Sequence, residues 1–196
     1  MKTQTRLTRT TPVLQVLQEV DEKIPVVAVM TAGDETGKLN FSTEMVFALE
    51  RLGKHATLIN AIDTHISIDA IARADILIID CPSGLQAACI EVANMANIVV
   101  VTQSAGLTQQ PGHEPLHELL QGLYHNSHYN KPFEIVVSHA SDENMGLESF
   151  HQLVEVVGPG SGLLVNLLCL LCDDTDLSHQ RGTLHQAAVR IMHWLF

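Results

Sequence analysis

The apolar positions of the chain gather in six near-continuous runs: "PVVAVMT" (25–31), "HATLIN" (55–60), "DILIIDC" (75–81), "NIVVVTQ" (97–103), "FEIVVSH" (133–139) and "LLVNLLCLL" (163–171). Solid runs, rather than alternating ones, mark strands covered on both faces in a parallel sheet. Between them the pattern predicts helices over 38–52, 66–74, 84–95, 113–125, 144–157 and 183–195. In the first of these Phe41, Met45, Ala48 and Leu49 recur at spacings of three and four, an amphipathic stripe. The alternation predicts an α/β fold, a doubly wound, mostly parallel sheet with helices on both faces. It occupies a single domain over 25–196. Residues 1–24 carry a short amphipathic patch, "VLQVLQEV" (13–20), read as an N-terminal helix or a docking segment for a partner. No internal repeat, low-complexity tract or linker interrupts the pattern.

Composition narrows the function classes. With 196 residues, 46% hydrophobic and 17% charged, the chain can bury a full core. A formal net charge of −11 repels phosphate backbones, which argues against direct nucleic-acid binding. The 11 histidines add positive charge only below about pH 6.5. The opening "MKTQTRLTRTTP" is polar, so no secretory signal is expected. The longest apolar run, 162–172, is shorter than the about 20 residues that span a bilayer. A cytoplasmic protein is the expectation. Cys169 and Cys172 form a C-x-x-C, but strand residues three apart face opposite sides, and a zinc site would need a second Cys pair or two histidines at ligand spacing beside it. Cys81, Cys89, Cys169 and Cys172 therefore read as buried thiols of a reducing compartment. His113, Glu114 and His117 spell H-E-x-x-H, but Pro115 falls inside it and no third ligand is evident, so with Glu118 they read as a solvated helix start. Ser83 before Gly84 is no nucleophile elbow, since G-x-S-x-G is absent.

The loop after the first strand, "TAGDETGKLN" (31–40), carries the candidate chemistry. A phosphate-binding loop, G-x-x-x-x-G-K-[ST], uses glycines to turn backbone N–H groups toward phosphate, a lysine for the terminal phosphates and a hydroxyl for magnesium. Gly37 and Lys38 open the helix as required, but Ala32 holds the first glycine position and Leu39 the hydroxyl position. Asp34 and Glu35 add two negative charges beside any triphosphate. At roughly 5 Å and an effective dielectric of about 20, each unit-charge pair costs about 3 kcal/mol. The helix dipole returns about 1 kcal/mol. Further on, "DILIIDCPSG" ends an apolar strand in Asp80 and brings Gly84 before the next helix.

Taken together, these motifs resemble the MinD/ParA group of deviant-Walker ATPases, closest to the flagellar-number regulators FlhG and FleN. The likeness covers most of 25–180, through "TAGDETGKLN", "ALERLGKHATLINAI" (48–62), "DCPSG" (80–84), "VANMANIVVVTQSA" (92–105) and "LLCLLCDDTDL" (167–177). Gly37, Lys38, Asn40, Asp80 and Gly84 match the family's nucleotide site. The departures are as telling. The family's signature lysine falls on Gly33, its magnesium-binding threonine on Leu39, and the aspartates of its D-x-D on Asn60 and Ile62. The stretch from 60 to 80 lacks the longer insert that carries a further strand and part of the dimer face.

The resemblance thus implies a regulatory protein with a vestigial nucleotide site, no catalytic residues and ATP hydrolysis lost. It would act by protein contact around flagellar or polar-machinery number and placement. Its implied partners are an AAA+ transcription activator and a signal-recognition-type GTPase, and it can form a homodimer. Two alternatives stand beside it: an ATP·Mg-binding switch with an altered loop, and a small-molecule enzyme on a P-loop fold. The family's terminal amphipathic helix raises membrane association for "LHQAAVRIMHWLF" (184–196), but Arg190 is its one Lys or Arg, so docking onto its own domain is expected. A dimer is expected to use an apolar helix face or this C-terminal segment, with Ile191, Trp194, Leu195 and Phe196 as its apolar anchors.

Overall fold

The computed structural model describes residues 24–31, 36–61, 68–81, 87–105, 115–126, 130–157, 164–172 and 177–196. The N-terminal patch at 13–20 lies outside these. Strands and helices alternate without exception: β1 (Val26–Thr31), α1 (Thr36–Arg51), β2 (Ala56–Asn60), α2 (Ile68–Ala72), β3 (Ile76–Asp80), α3 (Ala87–Met95), β4 (Ile98–Ser104), α4 (Pro115–Asn126), β5 (Phe133–Ala140), α5 (Glu143–Val157), β6 (Val165–Cys172) and α6 (Leu177–Leu195). The six strands form one sheet in the order β2-β3-β1-β4-β5-β6, every pair parallel.

The solid apolar runs have their expected cause. β1 and β3 are buried along their whole length, because helices cover both faces. Val27, Val29, Ile76, Ile78, Ile98 and Val100 pack toward α1 and α6. Their alternating neighbours Ala28, Met30, Leu77, Ile79, Val99 and Val101 pack with α2, α3, α4 and α5 on the other face. α1 applies the stripe seen in its sequence, with Phe41, Met45, Ala48 and Leu49 all buried. It stops at Gly53, whose φ of 79° suits glycine. There Gly53 N–H donates to Glu50 O at 2.9 Å and Lys54 N–H to Leu49 O at 3.1 Å, the paired bonds of a Schellman cap. Asp142 caps α5 by accepting from Met145 N–H at 2.9 Å.

Two features depart from the pattern. β6 carries a bulge: Ile135 pairs with Leu167 but Val136 with Cys169, leaving Leu168 extra. Leu168 and Cys169 consequently both enter the core beneath α6. The second is α6, which begins at Leu177 rather than 183 and docks through Leu184, Ala187, Ala188 and Ile191. Of the expected anchors Ile191 is buried and Leu195 packs at the core margin, whereas Trp194 and Phe196 are 56% and 67% exposed. Phe196 lies past the end of the helix and off the 184/187/188/191 stripe, whereas Trp194, three residues after Ile191 and seven after Ala187, stands at that stripe's edge in the last turn. α6 also guards the sheet edge. Arg190 donates to Leu167 O at 2.8 Å and Leu168 O at 3.1 Å, and Gln180 donates to Cys172 O at 3.0 Å. An apolar edge strand left bare would invite pairing with another chain. Among the described residues no helix is long and apolar enough to cross a membrane.

Candidate functional site

The chain leaves β1 for α1 on one face of the sheet, while the exits of β3 and β4, its two neighbours, lead to α3 and α4 on the other. Chain exits to opposite faces mark the carboxyl end of β1 as a switch point, the place where open α/β sheets hold a ligand crevice. Strand alternation puts a row of polar residues on the α1 side of this end: Asn60, Asp80, Thr31 and Thr102. Most of the buried polar residues gather at this end, Thr31, Ser42, Asp80, Thr102, Gln103 and Ser138 among them. Ser42 donates to Asp80 Oδ1 at 3.4 Å, a long hydrogen bond. Thr31 Oγ1 donates to Thr102 O at 3.4 Å, and Thr102 Oγ1 to Met30 O at 3.2 Å. Main-chain bonds hold the strand ends in line, from Ala61 N–H to Asp80 O and from Cys81 N–H to Val29 O.

Of the residues singled out from sequence, Asp80 closes β3, 5% exposed. Gly37, Lys38 and Asn40 lie in the first turns of α1, and Leu39 continues the helical backbone between them. The helix N-terminus therefore meets the carboxyl ends of the strands. The side chains of 36–40, the loop of Gly33, Asp34 and Glu35, Ile62 and Gly84 lie outside the described residues. Asn60 ends β2 in register with Asp80. β2 is the outermost strand, and between it and β3 the described chain contains only the single short helix α2. His113 and Glu114 are outside the description, and among the described residues no three His, Cys, Asp or Glu side chains form a metal-ligand group. All four cysteines are buried thiols, and burial pushes that of Cys169 up to about 12.

Sequence reasoning missed two residues at this end. Ser42 stands among Phe41, Met45 and Ala48, a polar intruder in an apolar stripe, and that intrusion was the available signal. His139 is exposed with φ of 54°, where the β5–β6 register slips between Ser138 and Ala140. Left-handed backbone at a non-glycine residue has no signature in one sequence. At the opposite end of the sheet a second carboxylate was also missed. Glu134, 4% exposed, accepts from Asn166 Nδ2 at 3.0 Å and faces Arg190 at 3.9 Å. Burial raises its pKa; the Asn166 bond and the Arg190 charge oppose that rise.

No family model matches the sequence, and neither does any curated protein. Solved structures do match the fold. A MinC:MinD cell division protein complex of Aquifex aeolicus aligns with a TM-score of 0.60 at 11% identity, over 86% of this chain and 96% of that one. The septum site-determining protein MinD of Pyrococcus horikoshii, complexed with Mg-ADP, gives 0.56 at 9% identity, over 85% and 95%. A ParA family ATPase of Chlorobium tepidum gives 0.51 at 13% identity, over 86% and 92%. Six parallel strands in this order, the switch point at β1 and these neighbours agree: the chain has the MinD/ParA ATPase fold.

Proposed function

We propose that this chain is a degenerate MinD/ParA-like regulatory protein that works by protein–protein contact, its ATP hydrolysis lost. One observation carries the reading. α1 runs as unbroken helix through Leu39, where the family places a magnesium-binding hydroxyl, and the buried Asp80 accepts from Ser42, one turn further along. Leucine offers a metal no oxygen. Asp34 and Glu35 add negative charge beside the helix start, against the single Lys38. The donor set does not fit a magnesium-bound triphosphate in the family's manner, and Gly37, Lys38, Asn40, Asp80 and Gly84 are read as the remnant of its site. The edge position of β2 is consistent with loss of the insert that carries part of the family's dimer face.

Contact with another protein is the mode seen in one fold neighbour, the MinC:MinD complex. By the sequence likeness to flagellar-number regulators, the process served is flagellar or polar-machinery number and placement. The partners by the same likeness are an AAA+ activator or a signal-recognition-type GTPase. The competing reading, an ATP·Mg switch, draws on Gly37-Lys38 at the start of α1 and on the Mg-ADP bound by the P. horikoshii neighbour.

Calorimetric titration of ATP, with and without magnesium, separates the two. The regulatory reading expects no micromolar binding and no turnover, since losing a charge-stabilising group lowers rates by about 10²-fold or more. The Asp34→Gly, Glu35→Gly double variant should gain anion affinity if acidic repulsion is what closes the loop. Magnesium-dependent micromolar binding by the wild type, lost in Lys38→Ala, would establish the switch instead.

A further inference from the structure

We infer that the amphipathic patch at 13–20 docks on the open edge of its own sheet, along the groove that β6 leaves between α5 and α6. β6 is an outer strand, and its apolar residues are incompletely covered. Val165, Leu167, Leu170 and Leu171 are half-buried, where β1 and β3 are buried throughout. A groove of ≈ 500 Å³ follows this edge, lined by Leu147 of α5, Leu168 and Leu170 of β6 and Gly182 of α6 among others. Leu147 and Val154 are both exposed, and seven residues apart they share the flank of α5 that faces the groove. Leu164, just ahead of β6, is exposed as well. The glycines of the two helical walls differ. A Cβ on Gly146 would come within 3.0 Å of Leu170 Cδ2, so the small residue lets α5 close onto β6. A Cβ on Gly182 would meet nothing within 4 Å. Glycine weakens a helix interior, and among the described residues nothing uses the room left beside Gly182. That room suits another segment lying close against α6.

Chain length selects the occupant. The described chain enters at Ile24, which packs on the α2–α5 side of the sheet, the side of α5 itself. The entry is pinned, because Val26 N–H donates to Asn97 Oδ1 at 2.8 Å and Leu77 N–H to Pro25 O at 2.9 Å. All strand pairs are parallel, so the start of β6 lies at the same end of the sheet, three strands away. Three strand spacings come to roughly 14 Å, which residues 20–24 span when extended at about 3.4 Å per residue. The link Asp21-Glu22-Lys23, two acids to one base, crosses the exposed Lys131, which donates to Asn97 O at 3.1 Å. Val20 then arrives at the start of β6, beside Leu164 and Val154. Val13, Val16, Leu17 and Val20 recur at helical spacing. Val13 to Val20 is seven residues, about 10 Å of helix, and so is Leu147 to Val154 on α5. The apolar face of the patch and the apolar flank of α5 therefore match in length. Other exposed apolar side chains are less well placed: Phe47, Val189, Trp194 and Phe196 lie across the sheet from Ile24, and the β2 edge carries none among the described residues. Docked in the groove, the patch covers an edge that would otherwise invite a second chain. This docking uses neither the loop of 31–38 nor a nucleotide, so it stands apart from the reading of that site.

Disulfide trapping in the full chain tests this. Val13→Cys is combined with Leu147→Cys in one variant and with Phe47→Cys, on the opposite face, in a control; both partner positions are exposed, and the native thiols are buried. Under mild oxidation the first pair should close within one chain about tenfold faster than the control, because docking raises the local concentration of one thiol at the other. Hydrogen exchange gives a readout that needs no added thiol. Leu17→Asp should speed amide exchange in β6 and α5 about tenfold while β1 and β3 keep their wild-type rates. Equal closure of the two cysteine pairs overturns the proposal, and so does exchange in β6 and α5 that ignores Leu17→Asp. Crosslinks that join two chains instead of closing one overturn it too, since a second copy then covers the edge.

Discussion

Two carboxylates lie buried on the α1–α6 face of the sheet, Asp80 at the carboxyl end of β3 and Glu134 near the start of β5, and their surroundings differ. Asp80 receives a long bond from the neutral Ser42 hydroxyl, at the switch-point end of the sheet. Glu134 is enclosed by Asn166 and the Arg190 guanidinium, at the end closed by the last turns of α6. Arg190 also ties up the two carbonyls turned to one side by the β6 bulge. Depth of burial is the same, so it cannot tell the two apart. Position along the strand does: the carboxyl-end acid lies at the switch point of the sheet, and the amino-end acid is one side of a structural clasp that fastens α6 across β5 and β6.

The clasp can be broken from the Arg190 side. Removing one partner of a buried pair typically costs about 3–5 kcal/mol, and the guanidinium, 45% exposed, warrants a discount for solvent screening. Arg190→Ala should lower unfolding free energy by about 2 kcal/mol, read from the urea midpoint at unchanged slope. Cys169 supplies a second reading of the same event. Its thiol, buried under α6 and pushed up to about 12, should resist thiol reagents in the wild type and label measurably faster once Arg190 is gone. A variant as stable and as unreactive as the wild type would show that α6 is held by its apolar stripe alone.

Acidity probes the same clasp more gently. Burial raises the folded-state pKa of Glu134 above 4.5, with Asn166 and Arg190 opposing. Between the unfolded and folded values the native state binds more protons, so stability falls as pH rises through that window and is level above it. Glu134→Gln removes that titration. The stability of the variant relative to the wild type should therefore climb from pH 4.5 upward and then flatten, by less than the Arg190→Ala loss. A difference that ran the other way would mean that Arg190 outweighs burial at this site.

The contrast also explains what a reader of the sequence can and cannot see. Apolar runs such as "VVAVMT" and "ILIID" are solid because both faces are covered, and that alone is enough to read the parallel α/β sheet. Asp80 is visible because it ends such a run just before a Gly-containing turn. Glu134, one residue into β5, has no local signature: its partners are 32 and 56 residues away, Asn166 opposite it in the β5–β6 register and Arg190 on α6. The early start of α6 was hidden for a related reason, since Leu177 to Thr183 is polar except at its first residue. Ser178, His179, Arg181 and Gly182 are exposed, and the buried stripe begins only at Leu184.

The smallest effect belongs to Asp80. Asn at this position keeps an oxygen to accept from Ser42 and loses only the charge, so Asp80→Asn should change unfolding free energy by less than about 1 kcal/mol, within the range of one neutral hydrogen bond. Ser42→Ala should cost about 1 kcal/mol, because it leaves a buried carboxylate short of a donor. The decisive comparison is with magnesium present. If the site is a remnant, neither substitution alters the response of stability to ATP·Mg, as no ligand binds the native state to begin with. If wild-type melting rises with ATP·Mg and Asp80→Asn abolishes the rise, the carboxylate is a working ligand-side group, and the likeness between the two buried acids ends at their burial.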